Sequence, residues 1–149
     1  MRELALHVLD ILRNTVDAGA TYVSLTIEED SAGDRLAITV SDDGRGMTPE
    51  TVAQVTNPFF TTRTTRHVGL GLPLLAAAAE RAGGDLRIAS TPGRGTTVEA
   101  TFQLAHPDRQ PLGDLPGTVL AFLLAEGAPQ LRYEHRVMRS PAASRTFRF

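Results

Sequence analysis

The chain has 149 residues, of which 42% are hydrophobic, and a formal net charge of −2 at pH 7. This length is sufficient for one domain with its own core, and a charge so close to zero provides no general basic surface for nucleic acid. Because the chain has no cysteine, disulfides and thiolate metal sites are excluded. No stretch is long and apolar enough to cross a bilayer, and the first residues lack the layout of a signal peptide, so we expect a cytoplasmic protein without a membrane partner.

Arginine supplies all 15 basic residues, and lysine does not occur in the sequence. A phosphate-binding loop of the Walker type needs a lysine after its glycines, so this class of nucleotide site is excluded. The four histidines are scattered and none belongs to a His-Glu-x-x-His run, so a histidine-based zinc site is not predicted.

Helical spacing of apolar residues predicts a first helix over residues 3–17. Polar residues recur along the helix at spacings of three, four and three, which places them on one face: His7, Asp10, Asn14 and Asp17. Either this face looks into a functional site or it is the solvated side of an amphipathic helix, and the helix alone does not decide between the two. Gly19 then ends the helix.

Alternating apolar residues predict strands over 21–28 and 36–40, and the short polar turn between them predicts a hairpin. Asp42 follows the second strand, at a place from which a side chain can reach a ligand. Thr48 and Pro49 predict the start of a short helix. Residues 60–68, which are rich in threonine and basic side chains, are interpreted as a mobile loop.

A second helix is predicted from about residue 70 to residue 82, followed by strands over 86–89 and 97–102 that a turn at 92–95 joins. A proline-rich connector at 105–113 leads to a third helix, which Asp114 caps and which reaches about residue 126. Residues 131–137 alternate as a strand, and 146–149 are expected to pair back on it. Residues 130–149 hold five arginines and one acid, Glu134, and form either a patch for an acidic partner or an ordinary solvated hairpin.

Three Gly-x-Gly segments with polar neighbours occur in the middle of the chain: 42–47 (Asp-Asp-Gly-Arg-Gly-Met), 69–72 (Gly-Leu-Gly-Leu) and 92–97 (Pro-Gly-Arg-Gly-Thr-Thr). Glycine lets backbone approach a ligand closely, and phosphate is the usual ligand of such backbone. Together with the polar face of the first helix, these segments resemble the boxes of the Bergerat-fold ATP-binding domain shared by sensor histidine kinases, gyrase, Hsp90 and mismatch-repair ATPases. The run at 59–63 (Phe-Phe-Thr-Thr-Arg) is similar to the lid of sensor kinases.

The resemblance covers residues 3–102 and implies an α/β two-layer sandwich, in which helices cover one face of a mixed, mostly antiparallel sheet. It places an ATP-binding domain at 1–104, with a C-terminal helix and β-hairpin extension at 105–149 packed on the same domain. The tail is similar to a stand-alone subgroup of these ATPases that is found beside iron-hydrogenase-type genes.

By this resemblance the ligands are ATP and Mg²⁺. Asp42 would accept a hydrogen bond from the adenine amine, although an Asp-Gly turn is the alternative for this position. Asn14 would be the metal ligand. Asp10, one helical turn earlier, would activate the attacking water or only hold water around the metal; the hydrolytic members of the family usually have the longer Glu there. Arg63 or Arg66 would stabilise charge on the terminal phosphate, unless both only keep an exposed loop soluble.

The same resemblance assigns a further set of residues to the nucleotide: Asp17, Gly44, Gly46, Met47, Phe60, Thr61, Thr62, Gly69, Leu70, Gly71, Leu72 and Thr96.

The function implied is ATP-Mg binding, used either to phosphorylate a partner protein or to hydrolyse ATP as a conformational switch. The first helix begins at the start of this sequence, so no phosphoacceptor-bearing hairpin precedes it here and a partner protein is expected to carry the acceptor. The alternative is an anti-sigma-factor-like, nucleotide-responsive regulatory module with little or no turnover. Nucleic-acid binding through the arginine-rich end is a weaker option, and a homodimer stays open.

Overall fold

The computed structural model describes residues 3–55, 71–125 and 127–138, together with the backbone of 145–148. The helices are α1 (Leu4–Asp17), α2 (Pro49–Val55), α3 (Gly71–Arg81) and α4 (Leu115–Leu124). The strands are β1 (Tyr22–Asp30), β2 (Arg35–Asp42), β3 (Leu86–Thr91), β4 (Gly95–Gln103), β5 (Gln130–Met138) and β6 (Arg145–Arg148).

The six strands form one sheet in the order β3-β4-β2-β1-β5-β6. β1 and β5 pair in parallel, and the other neighbouring strands pair antiparallel. The predicted mixed, mostly antiparallel sheet is therefore confirmed.

The helices cover one face of this sheet. In β1, Val23, Leu25 and Ile27 are fully buried, whereas the residues between them are half-buried. This alternation is the pattern of a sheet with one covered face. Helix α1 contacts both α3 and α4, and its buried residues recur at helical spacing, so the helices make the second layer of the sandwich.

The observed bounds differ from the predictions by a few residues. β1 and β2 pair continuously from Val23 and Asp42 to Asp30 and Arg35, which makes both strands longer than predicted. Helix α4 ends at Leu124, two residues before the predicted end.

The segment after β4 extends both layers. α4 adds a helix beside α1, and β5 adds a strand beside β1. The Asp114 side chain accepts a hydrogen bond from the Gly117 N–H at 2.9 Å, which confirms the predicted helix cap. Across the described residues no helix has the length and apolar character that a membrane span needs.

Candidate functional site

A cavity of about 320 Å³ lies where β2 ends, between that strand end and helix α1. This volume is at the lower end of the range of small-molecule sites, about 300–1,000 Å³. Its larger apolar lining residues come from α1, β2, α3, β4 and the segment after β2: Ile11, Val40, Met47, Leu72 and Val98. An apolar cleft with a few polar groups on its walls suits a flat ring with hydrogen-bonding edges.

Many of the residues predicted for the site line this one cavity, namely Asn14, Asp17, Asp42, Gly46, Met47, Leu72 and Thr96. Gly44 stands directly behind a lining residue, because its N–H donates to Asp42. Gly71 adjoins Asp10, since a Cβ on Gly71 would lie 3.0 Å from the Cβ of Asp10, and Asp10 is not among the described residues that line the cavity. The other predicted contacts lie outside the described residues, as does the loop interpreted as mobile: Phe60, Thr61, Thr62, Arg63, Arg66, Gly69 and Leu70.

Asp42 is the last residue of β2, and its carboxylate lies on the cavity wall. Its Oδ1 accepts a hydrogen bond from the Gly44 N–H at 2.7 Å. Burial raises the pKa of Asp42 above its ordinary value, and the charge of Asp43 raises it further, while the backbone N–H groups of Gly44 and Thr96 oppose the rise. A partly desolvated carboxylate is a strong acceptor for a ligand N–H that replaces the lost water.

Asp43, the next residue, has a different role. It accepts hydrogen bonds from the Thr21 N–H at 2.8 Å, the Thr21 hydroxyl at 2.7 Å and the Tyr22 N–H at 3.0 Å. These bonds lower the pKa of Asp43, the Thr21 hydroxyl contributing most. The second carboxylate therefore joins the end of β2 to the start of β1 and leaves the cavity wall to Asp42.

Asn14 lines the cavity from α1, and its buried Nδ2 atom has no hydrogen-bond partner among the described residues. A buried amide without a partner costs free energy, and the deficit is removed when a ligand supplies the missing group. Because the two ends of the amide interchange by rotation, the side chain can present either an N–H or a carbonyl oxygen.

The donor set fits a metal ion held mainly by phosphate and water. Among the described residues, no group of three His, Cys, Asp or Glu side chains could hold a metal ion alone. Mg²⁺ commonly takes only one or two protein oxygens beside the phosphates of a nucleotide. The Asn14 amide, with Asp17 one turn further along α1, is compatible with that arrangement.

The polar face of α1 is divided between two surroundings. Asn14 and Asp17 line the cavity, whereas His7 is only 2% exposed and its Nε2 lies 3.1 Å from Oε1 of Gln110. Asp10 lies between them, against Gly71 at the start of α3. The polar face of α1 is therefore neither uniformly solvated nor wholly directed at the cavity. Its N-terminal end is covered by Gln110 of the connector at 105–113.

The glycines of the boxes mainly allow protein segments to meet. Gly46 has φ +72°, and a Cβ there would overlap the carbonyl oxygen of Thr91; a Cβ on Gly95 would overlap the carbonyl oxygen of Asp42. The first and third boxes are therefore packed against each other, and a ligand meets the surface that this packing creates.

Several cavity residues were not predicted: Thr15, Ala18, Arg45, Thr48 and Thr51. Arg45 is the most informative, because its N–H donates to the Ala18 carbonyl at 2.9 Å and its guanidinium donates to the Asp17 carbonyl. It ties the first Gly box to the end of α1. The sequence feature that could have identified Arg45 is its position between the two glycines of the first Gly box.

Ser90 of β3 also escaped prediction, although it connects the two boxes. Its hydroxyl accepts from the Met47 N–H at 2.8 Å and lies 2.8 Å from the Thr96 hydroxyl. Nothing in the strand pattern of residues 86–91 distinguishes this serine from an ordinary strand residue.

Comparison with known proteins agrees with this geometry. Residues 2–106 match the family of histidine kinase-, DNA gyrase B- and HSP90-like ATPases. The non-motile and phage-resistance protein of Caulobacter vibrioides is 32% identical over 116 residues, which are 74% of this chain and 14% of that protein. Sensor protein kinase FleS of Pseudomonas aeruginosa is 42% identical over 97 residues, 65% of this chain and 24% of that protein.

Sensor histidine kinase ZraS of Escherichia coli is 29% identical over 108 residues, 71% of this chain and 23% of that protein. The chain thus spans a quarter or less of the length of these relatives. The match over residues 2–106 includes the whole cavity, and the chain belongs to the histidine kinase-, DNA gyrase B- and HSP90-like ATPase family.

Proposed function

We propose that this protein binds ATP with Mg²⁺ in the cavity beside Asp42 and uses it either to phosphorylate a partner protein or to drive a conformational switch by hydrolysis. The observation that carries the proposal is the convergence of Asn14, Asp42 and Thr96 on one cavity within a histidine-kinase-like ATPase fold. These residues come from α1, β2 and β4, and only the tertiary structure brings them together.

In this proposal the two ends of the cavity bind different parts of the nucleotide. Asp42 accepts the adenine amine, and Met47 packs on the ring. Asn14 offers its amide oxygen to Mg²⁺, which when bound offsets the charge of the triphosphate and polarises its terminal phosphate. Asp17 and Thr96 supply further polar contacts on the walls.

Asp10 is the candidate general base or water-holding residue. It lies one turn from Asn14 on α1 and directly against Gly71, where α3 begins. The amide groups at the start of a helix favour anions, so a phosphate bound at the start of α3 would lie beside Asp10 and bring its attacking water near this carboxylate. The lid contacts proposed for Phe60, Thr61, Thr62 and Arg63, and the phosphate contacts of Gly69 and Leu70, belong to the same hypothesis.

A protein partner that carries the phosphoacceptor is part of the proposal. His7 of this chain is excluded as the phosphoacceptor, because its side chain is buried and hydrogen-bonded to Gln110. The relatives named sensor kinases support a partner-directed kinase role. A homodimer and the likeness to the ATPases beside iron-hydrogenase-type genes are finer forms of the same proposal.

The rival function is a nucleotide-responsive regulatory module with little or no turnover. Asp10 favours it, because Asp is one methylene shorter than the Glu that serves as base in hydrolytic relatives. Phosphate release measured with and without candidate partners separates the two: turnover that Asp10→Ala abolishes supports the enzyme, and nucleotide binding without turnover under every condition supports the module.

Calorimetry with Mg-ATP tests the binding proposal. We expect Asp42→Asn to weaken binding by about 100-fold, because the amide turns a donor or a weaker acceptor toward the adenine amine and loses a charged hydrogen bond. Asp43→Asn is the matched control, since this carboxylate bonds to β1 and should leave affinity within about twofold. Equal affinity of the Asp42→Asn variant and the unsubstituted protein, or no binding by either, would refute the proposal.

A further inference from the structure

Helix α1 carries Asp10 and Asn14, and its two ends are held by different parts of the chain. At its C-terminal end, the first Gly box holds it: Arg45 donates its N–H to the Ala18 carbonyl and its guanidinium to the Asp17 carbonyl. Both partners of this contact lie within the family match at residues 2–106. The position of Asn14 along the cavity wall is therefore fixed from one side by the site itself.

The N-terminal end of α1 is held by the connector, from beyond the family match. The first N–H groups of a helix have no partner within the helix, and a side chain at the N-cap usually supplies one. Here the Glu3 side chain makes no such bond. Instead the Leu4 N–H donates to the Pro111 carbonyl at 2.8 Å, and the Ala5 N–H donates to the Leu112 carbonyl at 2.9 Å.

Two further contacts fix the connector on this helix end. Gln110 hydrogen-bonds His7, a nearly fully buried residue one turn before Asp10. Gly113 has φ +77°, and a Cβ there would overlap the Glu3 side chain. The connector thus bonds α1 through backbone carbonyls and a side chain, and it approaches so closely that only glycine fits at its end.

We propose that the connector segment 110–113 is a positioning element of the nucleotide site, and that Gln110 and Gly113 set the placement of Asp10 and Asn14 by fixing the N-terminal end of α1. The inference rests on the proposed ATP-Mg binding. Adenine is assigned to Asp42 on β2, which the connector does not hold, whereas the metal and phosphates are assigned to α1. Loosening the connector should therefore weaken binding at the phosphate end and leave binding of the base unchanged.

Two glycines allow a matched test in the full chain. Gly113 and Gly127 have φ of +77° and +76°, so alanine introduces similar backbone strain at either position, but nothing lies within 4 Å of a Cβ on Gly127. Dissociation constants are measured for Mg-ATP and for adenosine, which has the base without phosphates. We expect Gly113→Ala to weaken Mg-ATP binding about fivefold while adenosine binding is unchanged, and Gly127→Ala to change neither.

Gln110→Ala provides a second variant that introduces no backbone strain, with Gln130→Ala, an exposed glutamine at the start of β5, as its control. We expect Gln110→Ala to weaken Mg-ATP binding about threefold, again without an effect on adenosine. If both connector variants match their controls, or lower adenosine and Mg-ATP affinity equally, the positioning role is refuted while the nucleotide site stands. If the unsubstituted protein binds neither ligand, the proposed function fails and this inference fails with it.

Discussion

Two buried polar groups, on opposite faces of the sheet, differ in whether the protein satisfies them. Glu134 of β5 has a side chain only 3% exposed, and Arg132 lies 3.4 Å from it while Arg136 contacts its other oxygen. Asn14 of α1 has a buried amide nitrogen without a partner among the described residues, and this amide lines the cavity. The protein neutralises the first group with its own side chains and leaves the second incomplete.

This difference distinguishes buried polar groups that belong to the structure of the protein from buried polar groups that bind a ligand. A buried charge that is paired within the chain recovers part of its desolvation cost from its partners, which for Glu134 both lie on its own strand, and so needs no ligand. A buried amide that only a ligand can complete lowers the stability of the free protein, and such groups persist where they bind something. We therefore assign Glu134, on the sheet face away from the helices (the outer face), a structural role, and Asn14, on the cavity wall of α1, a role in ligand binding.

The strongest test of this contrast is Asn14→Ala. We expect the affinity for ATP in the presence of Mg²⁺ to fall about 10- to 100-fold, because the metal loses its protein ligand. The free energy of unfolding of the free protein should stay the same or rise, since the substitution removes an unsatisfied buried group. Calorimetry with and without Mg²⁺, together with urea denaturation, measures both quantities.

The role of Asn14 as metal ligand predicts that its loss is specific to the metal-bound nucleotide. ATP without Mg²⁺ should bind the Asn14→Ala variant and the unsubstituted protein within about twofold of each other. An equal loss of affinity with and without Mg²⁺ would contradict a metal role and indicate a direct contact with the nucleotide.

The converse substitution at the outer face is Glu134→Ala. We expect it to lower the free energy of unfolding by about 1–2 kcal/mol, because the pairs with Arg132 and Arg136 and the packing of the buried side chain are lost. The loss stays moderate because the two arginines, at 58% and 40% exposure, can be hydrated once they are unpaired. ATP affinity should not change. Glu99→Ala is the matched control, because its ion pair with Arg35, at 3.8 Å, is exposed and should contribute less than about 0.5 kcal/mol.

If Glu134→Ala lowered ATP affinity as strongly as Asn14→Ala, the division between the two faces would be wrong. Equal stability of the Glu134→Ala and Glu99→Ala variants in urea would instead show that burial adds nothing to the Glu134 pairs.

Much of the fold could be predicted from local patterns. The alternation of Val23, Leu25 and Ile27 defines β1 and its buried face, and Asp114 caps α4 as its position before a helical segment predicts. Such features depend on residues close in sequence, so a single sequence contains the whole signal. The assembly of the boxes into one site came from the family resemblance.

The unpredicted parts depend on contacts between residues far apart in sequence. His7 stands on a helix face with Asp10 and Asn14, but Gln110, 103 residues later, covers it. Ser90 joins the first and third boxes through its hydroxyl, and its own strand gives no indication of either partner. Helical spacing in the sequence shows which side chains share one face of a helix. Which residues those side chains contact depends on segments that are far away in the sequence.

The smallest expected effect is on the pH dependence of stability, where Asp42 and Asp43 should have opposite signs. Asp42 has a folded-state pKa above the ordinary value of 3.8, mainly because of burial. The folded state therefore holds this proton more tightly than the unfolded state. Its contribution to stability is fully present below pH 3.8 and is lost as the pH rises through the folded-state pKa. At neutral pH, Asp42→Asn should therefore raise the melting temperature slightly, and this gain should disappear in acid.

Asp43, the next residue, should change the stability with pH in the opposite direction. The bonds from Thr21 and Tyr22 lower its folded-state pKa below 3.8, so its contribution is present above pH 3.8 and is lost as the pH falls through the folded-state value. Asp43→Asn should therefore lower the melting temperature at neutral pH and have no effect in strong acid. Melting curves of both variants between neutral and acidic pH measure the two slopes. Asp42 faces the cavity, whereas Asp43 bonds the end of β2 to the start of β1. If the effects of the two substitutions on melting temperature changed with pH in the same direction, these two roles would have been assigned to the wrong residues.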